Sequence, residues 1–148
     1  MFKDFKEVIT KNTQETVKLG KEFAQNVKGG DIICLKGGLG AGKTTFTQGF
    51  LKTLGAEGAL TSPTFIVMKK YSLKKNSYKV KNIYHIDTYR VESEDILDLG
   101  WKELIGNKEN IIIIEWPEKI KNIIPFRAVW LNFELIDKDR RRVSFISR

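Results

Sequence analysis

The chain has 148 residues, 41% of them hydrophobic, which is the size of one ordinary domain with enough apolar material for a true core. With 26 basic against 18 acidic residues its formal net charge is +8, a balance that favours approach to polyanions such as nucleotides, RNA or an acidic protein partner. Charges break the apolar positions of the N-terminal MFKDFKEVITKNTQ and no apolar run reaches the ~18 residues of a membrane span, so neither a secretory signal nor a membrane segment is predicted.

A single domain over 1–148 is expected, since no linker, repeat or low-complexity tract interrupts the chain. The only cysteine, Cys34, excludes an intrachain disulfide and fits a reducing cytoplasm; inside DIICL it reads as strand core. In chain order, residues 12–30 predict a helix. Asn12 with Glu15 three positions on suggests a capping box, Val17, Phe23, Ala24 and Val27 share a face, and Gly29 and Gly30 end it. DIICLK (31–36) predicts a short buried strand. KTTFTQGFLKTLG (43–55) predicts a second helix, with Phe46, Phe50, Leu51 and Leu54 inward and Gly55 as its stop.

Residues 64–73 and 80–90 flank the polar turn KKNS and predict an antiparallel strand pair. The lysine-rich run 68–81 reads as the solvated edge of that pair, with a polyanion-binding surface as the alternative. VESEDILDLGWKELIG (91–106) predicts one helix, capped by Ser93, with Leu97, Trp101, Leu104 and Ile105 at helical spacing. Four consecutive isoleucines in NIIIIEWPE (110–118) predict a strand buried on both faces, as in a parallel sheet covered by helices. Residues 127–136 and 141–148 bracket DKDR and predict a C-terminal hairpin. The sum is an α/β three-layer sandwich around a mixed sheet with antiparallel hairpins.

Between the first predicted strand and the second helix lies GGLGAGKT (37–44), which satisfies G-x-x-x-x-G-K-[ST] in the strand-loop-helix context that gives the pattern its meaning. Backbone amides close around a phosphate where no Cβ intervenes, which accounts for Gly37, Gly38, Gly40 and Gly42, and a helix N-terminus adds positive potential there. Lys43 would reach the β- and γ-phosphates and the Thr44 hydroxyl would hold Mg²⁺. A second metal contact is expected at the end of a neighbouring buried strand. Glu115 closes IIIIE, where a carboxylate is costly to desolvate unless a cation meets it.

Strand alternation puts His85, Asp87 and Tyr89 of YHIDTYR on one side, opposite Tyr84, Ile86 and Thr88. Asp87 is thereby a candidate to orient water or a metal-bound water. His85 reads as a hydrogen-bonded structural residue, because no second His completes a zinc site. Thr64 in LTSPTF stands where a switch segment presents a threonine to metal and phosphate. Trp116 either stacks on a base or partner or caps the core.

The set GLGAGKTTF, SPTF, HIDTYR and IEWPE, in that order, resembles the bacterial TsaE family, also called YjeE. The resemblance covers nearly the whole chain and is loosest in the 68–81 segment and the C-terminal tail. It implies a P-loop NTPase fold and a Mg²⁺-dependent ATPase, weak alone, required for N6-threonylcarbamoyladenosine at position 37 of tRNAs that read ANN codons. The implied partners are a TsaB and TsaD heterodimer, with tRNA contacted indirectly, in the cytoplasm and without a membrane. Carried onto matching residues, it places Gly38, Leu39, Gly40, Ala41, Gly42, Lys43, Thr44 and Thr45 around the phosphates of ATP, and Thr44 and Glu115 on Mg²⁺. Lys43, Asp87 and Glu115 then form the hydrolytic site, Thr64 the switch, and Trp116 a neighbour of the nucleotide. The residues leave two alternatives open, a small-molecule kinase and a nucleotide-switched RNA-binding module. The guanine-reading N-K-x-D pattern is absent from the chain, which leans towards adenine.

Overall fold

The computed structural model describes residues 6–58, 60 and 67–146. Its elements are β1 (Glu7–Thr10), α1 (Thr13–Ala24), β2 (Ile32–Gly37), α2 (Lys43–Thr53), β3 (Met68–Ser72), β4 (Asn82–Asp87), α3 (Ser93–Leu97), α4 (Trp101–Gly106), β5 (Asn110–Glu115), a 3-10 segment (Pro117–Ile123), β6 (Val129–Leu135) and β7 (Arg141–Ile146). The strands form one seven-stranded sheet in the order β1-β7-β6-β2-β5-β4-β3. β6, β2, β5 and β4 run parallel, while β7 and β1 on one flank and β3 on the other pair antiparallel.

Strand alternation divides the core in two. Ile33, Leu35, Ile83, Ile111, Ile113, Leu131 and Phe133 pack beneath α1 and α2. Ile32, Cys34, Ile86, Ile112, Ile114 and Trp130 pack against α3, α4 and the 3-10 segment on the other side. Every residue of β5 is buried, as its isoleucine run predicts, and Cys34 is core. β3, with Lys69 and Lys70, is the edge strand. Among the described residues no helix is long and apolar enough to cross a membrane.

Several elements differ from the sequence expectation. α1 ends at Ala24, ahead of Gly29 and Gly30, and its buried row is Thr16, Leu19, Gly20, Phe23 and Ala24, while Val17 is half-buried. The cause is a close crossing of α1 and α2: a Cβ on Gly20 would stand 2.1 Å from the Phe46 carbonyl oxygen, and one on Gly49 would stand 2.2 Å from that of Val17. Asn12 does cap α1 by accepting from the Glu15 amide (2.9 Å), but the Glu15 carboxylate takes the Lys11 amide (2.7 Å) instead of closing a box on Asn12.

The single helix expected over 91–106 is two helices, because Gly100 turns left-handed (φ +83°) between them. Ser93 is the first residue of α3 and not its cap. Glu92 takes that position, its amide donating to Asp95 Oδ2 (2.9 Å), while the Ser93 hydroxyl bonds Asn122 Oδ1 (2.5 Å) on the 3-10 segment. β3 and β4 pair antiparallel as expected, but the connection runs beyond KKNS: Asn76 accepts from the Tyr78 amide (3.0 Å) and donates to the Val80 carbonyl (2.8 Å). β1, four residues with a charged start, gave no strand signal and exists because β7 offers it an edge.

Candidate functional site

The carboxyl ends of β2, β4 and β5 open onto one cavity of about 450 Å³, the place where open parallel sheets present ligands. Its lining includes Leu39, Gly40, Ala41, Gly42, Lys43, Thr44 and Thr45 from the loop and first turn of α2, then Asp87, Glu115 and Trp116 from the strand ends. The structure thus brings together most of the residues the sequence singled out. Gly38 belongs to the same loop, and Thr64 lies outside the described residues.

The glycines of the loop are needed for different reasons. Gly42 has φ +101° and caps α2 in the left-handed region, and Gly40 has φ +76°. Gly37 is required by packing, because its Cβ would meet the Phe133 carbonyl oxygen at 2.5 Å. A Cβ on Gly38 would meet nothing within 4 Å, so clearance towards the protein does not explain that glycine. α2 begins at Lys43, and the first amides of a helix have no intrahelical partner and carry the positive end of its dipole.

Lys43 is buried, with 5% of its surface exposed. Its ammonium donates to the Gly37 carbonyl (2.5 Å) and lies 3.8 Å from the centre of the Trp116 ring. Burial holds its pKa below the ordinary lysine value, and the carboxylates of Glu115, Glu118 and Asp87 pull it back up. Trp116 is placed by its own backbone, which is left-handed (φ +60°) just beyond β5. Its carbonyl accepts the Thr88 hydroxyl at 2.6 Å, and its ring packs 4.8 Å from that of Tyr89.

Asp87 and Glu115 are register partners on adjacent parallel strands, on the face that carries Ile83, Ile111 and Ile113. Burial raises the Asp87 pKa, the Glu115 carboxylate adds to the rise, and the Tyr89 amide (3.0 Å), His85 and Lys43 oppose it. Glu115 is 3% exposed and accepts from His85 Nε2 at 2.9 Å. His85 and Asp87 share a face as alternation predicts, whereas Tyr89 lies past the end of β4 and is exposed. Among the described residues no three His, Cys, Asp or Glu side chains form a protein-only metal cage. Paired carboxylates beside a hydroxyl are the sparse oxygen set that Mg²⁺ takes when phosphates supply its other ligands, and Asp87, Glu115 and Thr44 fit that chemistry.

One wall of the cavity was missed. Thr13 and Thr16 of α1, Lys138 and Asp139 of the β6–β7 turn and Arg141 at the start of β7 also line it. The Arg141 stem passes 3.5 Å from where a Gly42 Cβ would lie, and Arg141 Nη1 donates to the carbonyls of Asp137 (3.0 Å), Lys138 (3.3 Å) and Arg140 (3.2 Å). No local pattern announces these residues, because α1 meets the loop through its packing on α2, and the β6–β7 end through the β7-β6-β2 order of the sheet.

Comparison with known proteins places the chain in a family. A family profile described as "Threonylcarbamoyl adenosine biosynthesis protein TsaE" matches residues 10–143. Proteins called tRNA threonylcarbamoyladenosine biosynthesis protein TsaE are 39% identical in Rickettsia felis (95% of this chain, 79% of that protein), 39% in Aquifex aeolicus (93% of each) and 36% in Bacillus subtilis (92% and 82%). The crystal structure of Bacillus subtilis YdiB superposes with a TM-score of 0.69 at 30% identity, covering 94% of this chain and 82% of that one. Fold and site define a mixed α/β protein in which a glycine-rich loop and two acidic strand ends share one cavity. The chain belongs to the TsaE family.

Proposed function

We propose that this protein is a cytoplasmic P-loop ATPase that supports threonylcarbamoyladenosine formation on tRNA, at adenosine 37 of tRNAs reading ANN codons, by acting with TsaB and TsaD. Family membership supports the place in threonylcarbamoyladenosine biosynthesis. The observation that carries the ATPase reading is the convergence of Lys43, at the start of α2, with Asp87 and Glu115, side by side at the ends of β4 and β5. A cation, free helix amides and two carboxylates in one cavity match the needs of a magnesium triphosphate.

In this reading residues 38–45 wrap the phosphates, and Lys43 exchanges the Gly37 carbonyl and the indole for a phosphate oxygen. Thr44 and Glu115 would hold Mg²⁺, whose chemistry there would be charge neutralisation of the phosphates. Asp87, with its raised pKa, accepts a hydrogen bond from the attacking water and orients it. Thr64 serves as the switch threonine. Among the described residues Arg141 is the one arginine lining the cavity, which bears on the kinase alternative, but its guanidinium is tied to three turn carbonyls rather than poised as a clamp.

Isothermal titration with ATP, with and without Mg²⁺, tests the reading, followed by ATPase assays with purified TsaB and TsaD. The expected result is saturable ATP binding, lost in Lys43→Ala, and hydrolysis that rises when both partners are present. ATP affinity unchanged by Lys43→Ala removes the phosphate-cradle argument, and hydrolysis indifferent to the partners removes the complex.

A further inference from the structure

The geometry points to His85 as a positioning residue that fixes the Glu115 carboxylate for metal binding; this rests on the reading of Glu115 as a Mg²⁺ ligand. The main chain at Glu115 is already immobilised. Its carbonyl accepts from the Thr88 amide (3.1 Å) and hydroxyl (3.0 Å), and the same hydroxyl bonds the next carbonyl, that of Trp116. On the neighbouring strand, His85 bonds the Glu115 side chain itself. Its ring has no exposed surface, and Nε2 lies 2.9 Å from Glu115 Oε2.

A carboxylate only accepts, so Nε2 carries the hydrogen of this bond. Nδ1 is buried and has no hydrogen-bond partner among the described residues. An imidazole with one buried nitrogen unsatisfied, directly opposite Ile113 and next to Ile83 in its row, is a poorer core residue than another isoleucine. Packing therefore does not account for it, whereas its single directed bond does. A histidine also orients an acid without the permanent charge of Lys or Arg, which would compete with a cation for the same oxygens.

The test uses the whole chain and three variants: His85→Leu, similar in bulk without a donor; His85→Gln, with an amide that reaches Glu115; and His85→Asn, one methylene shorter. ATP affinity is measured by titration in EDTA and then as a function of Mg²⁺, with Mn²⁺ binding in the presence of ATP followed by electron paramagnetic resonance. Thermal melts check folding. The expected result is a loss of metal affinity of about 10- to 100-fold in His85→Leu, unchanged metal-free ATP affinity, and recovery in His85→Gln. Should His85→Leu fail to fold, weak metal binding in His85→Asn against near-normal binding in His85→Gln carries the same conclusion. Metal affinity equal across wild type and folded variants overturns the proposal, as does a Gln variant no better than Leu or Asn. Wild-type protein that binds ATP with no metal dependence overturns the Glu115 reading itself, a distinguishable failure.

Discussion

Gly20→Ala places a methyl carbon 2.1 Å from the Phe46 carbonyl oxygen and 3.0 Å from the Phe50 nitrogen, all of it main chain of α2 that cannot swing aside. Restoring ordinary contact requires the two helices to part by roughly 1 Å, since Cβ atoms rarely approach other heavy atoms closer than 3.0–3.4 Å. Overpacking of this kind costs ~1–3 kcal/mol. Alanine returns up to ~1 kcal/mol of helix propensity, so the middle of the two ranges leaves a net loss of about 1.5 kcal/mol. For a chain of this length that lowers Tm by about 3–6 °C, at ~2–4 °C per kcal/mol. Gly49→Ala should behave alike, its Cβ meeting the Val17 carbonyl at 2.2 Å. Gly106→Ala, with nothing within 4 Å, is the control. Because α2 begins at Lys43, parting the helices also disturbs the loop, so ATP affinity should fall with Tm. Calorimetric melts of the three variants decide it. A Gly20→Ala protein as stable as the Gly106→Ala control refutes the claim that the close crossing is obligatory.

Lys43→Met keeps the buried stem but deletes the ammonium; ATP affinity measured by titration should drop at least ~10-fold, the scale of a lost charged hydrogen bond, while the unliganded Tm holds or rises because a desolvated charge is gone. Asp87 is an acid with its folded pKa raised, so the folded state binds protons more readily than the unfolded chain and loses stability as pH rises through that window. Asp87→Asn should therefore be more stable than wild type at pH 7, with the advantage vanishing in melts at pH below the ordinary carboxylate range; an advantage that grows at low pH contradicts the assignment. ATP should change the tryptophan emission by drawing Lys43 off the Trp116 ring, and Trp116→Phe should abolish that change although Trp101 and Trp130 remain.

The chemistry of the site was legible where it is local. GGLGAGKT between a strand and a helix, and an acid closing four isoleucines, announce themselves because a glycine-rich loop and a strand-end carboxylate need few residues beyond their own neighbours. Contacts between distant segments were not legible. Gly20 and Gly49 look like helix-weakening residues until α1 and α2 are seen to cross, and Arg141 looks like a surface arginine until the β6–β7 turn is folded over Gly42. His85 read as structural because its partner Glu115 is thirty positions away in the chain. The break at Gly100 was hidden by apolar spacing that suits two short helices as well as one long one, and the short strand β1 carries too few residues to show a period.

The roof that Trp116 makes over Lys43 has a consequence for which anions the protein notices. A newcomer must outcompete both the Gly37 carbonyl and the indole face before it gains the ammonium, a threshold on the order of a few kcal/mol. If the cavity takes a triphosphate as proposed, orthophosphate would bring too few contacts to cross that threshold, whereas three linked phosphates would seat on the helix amides first and then capture the lysine. On the proposed ATPase reading, the length of the polyphosphate rather than its charge alone would decide which anion gains the lysine.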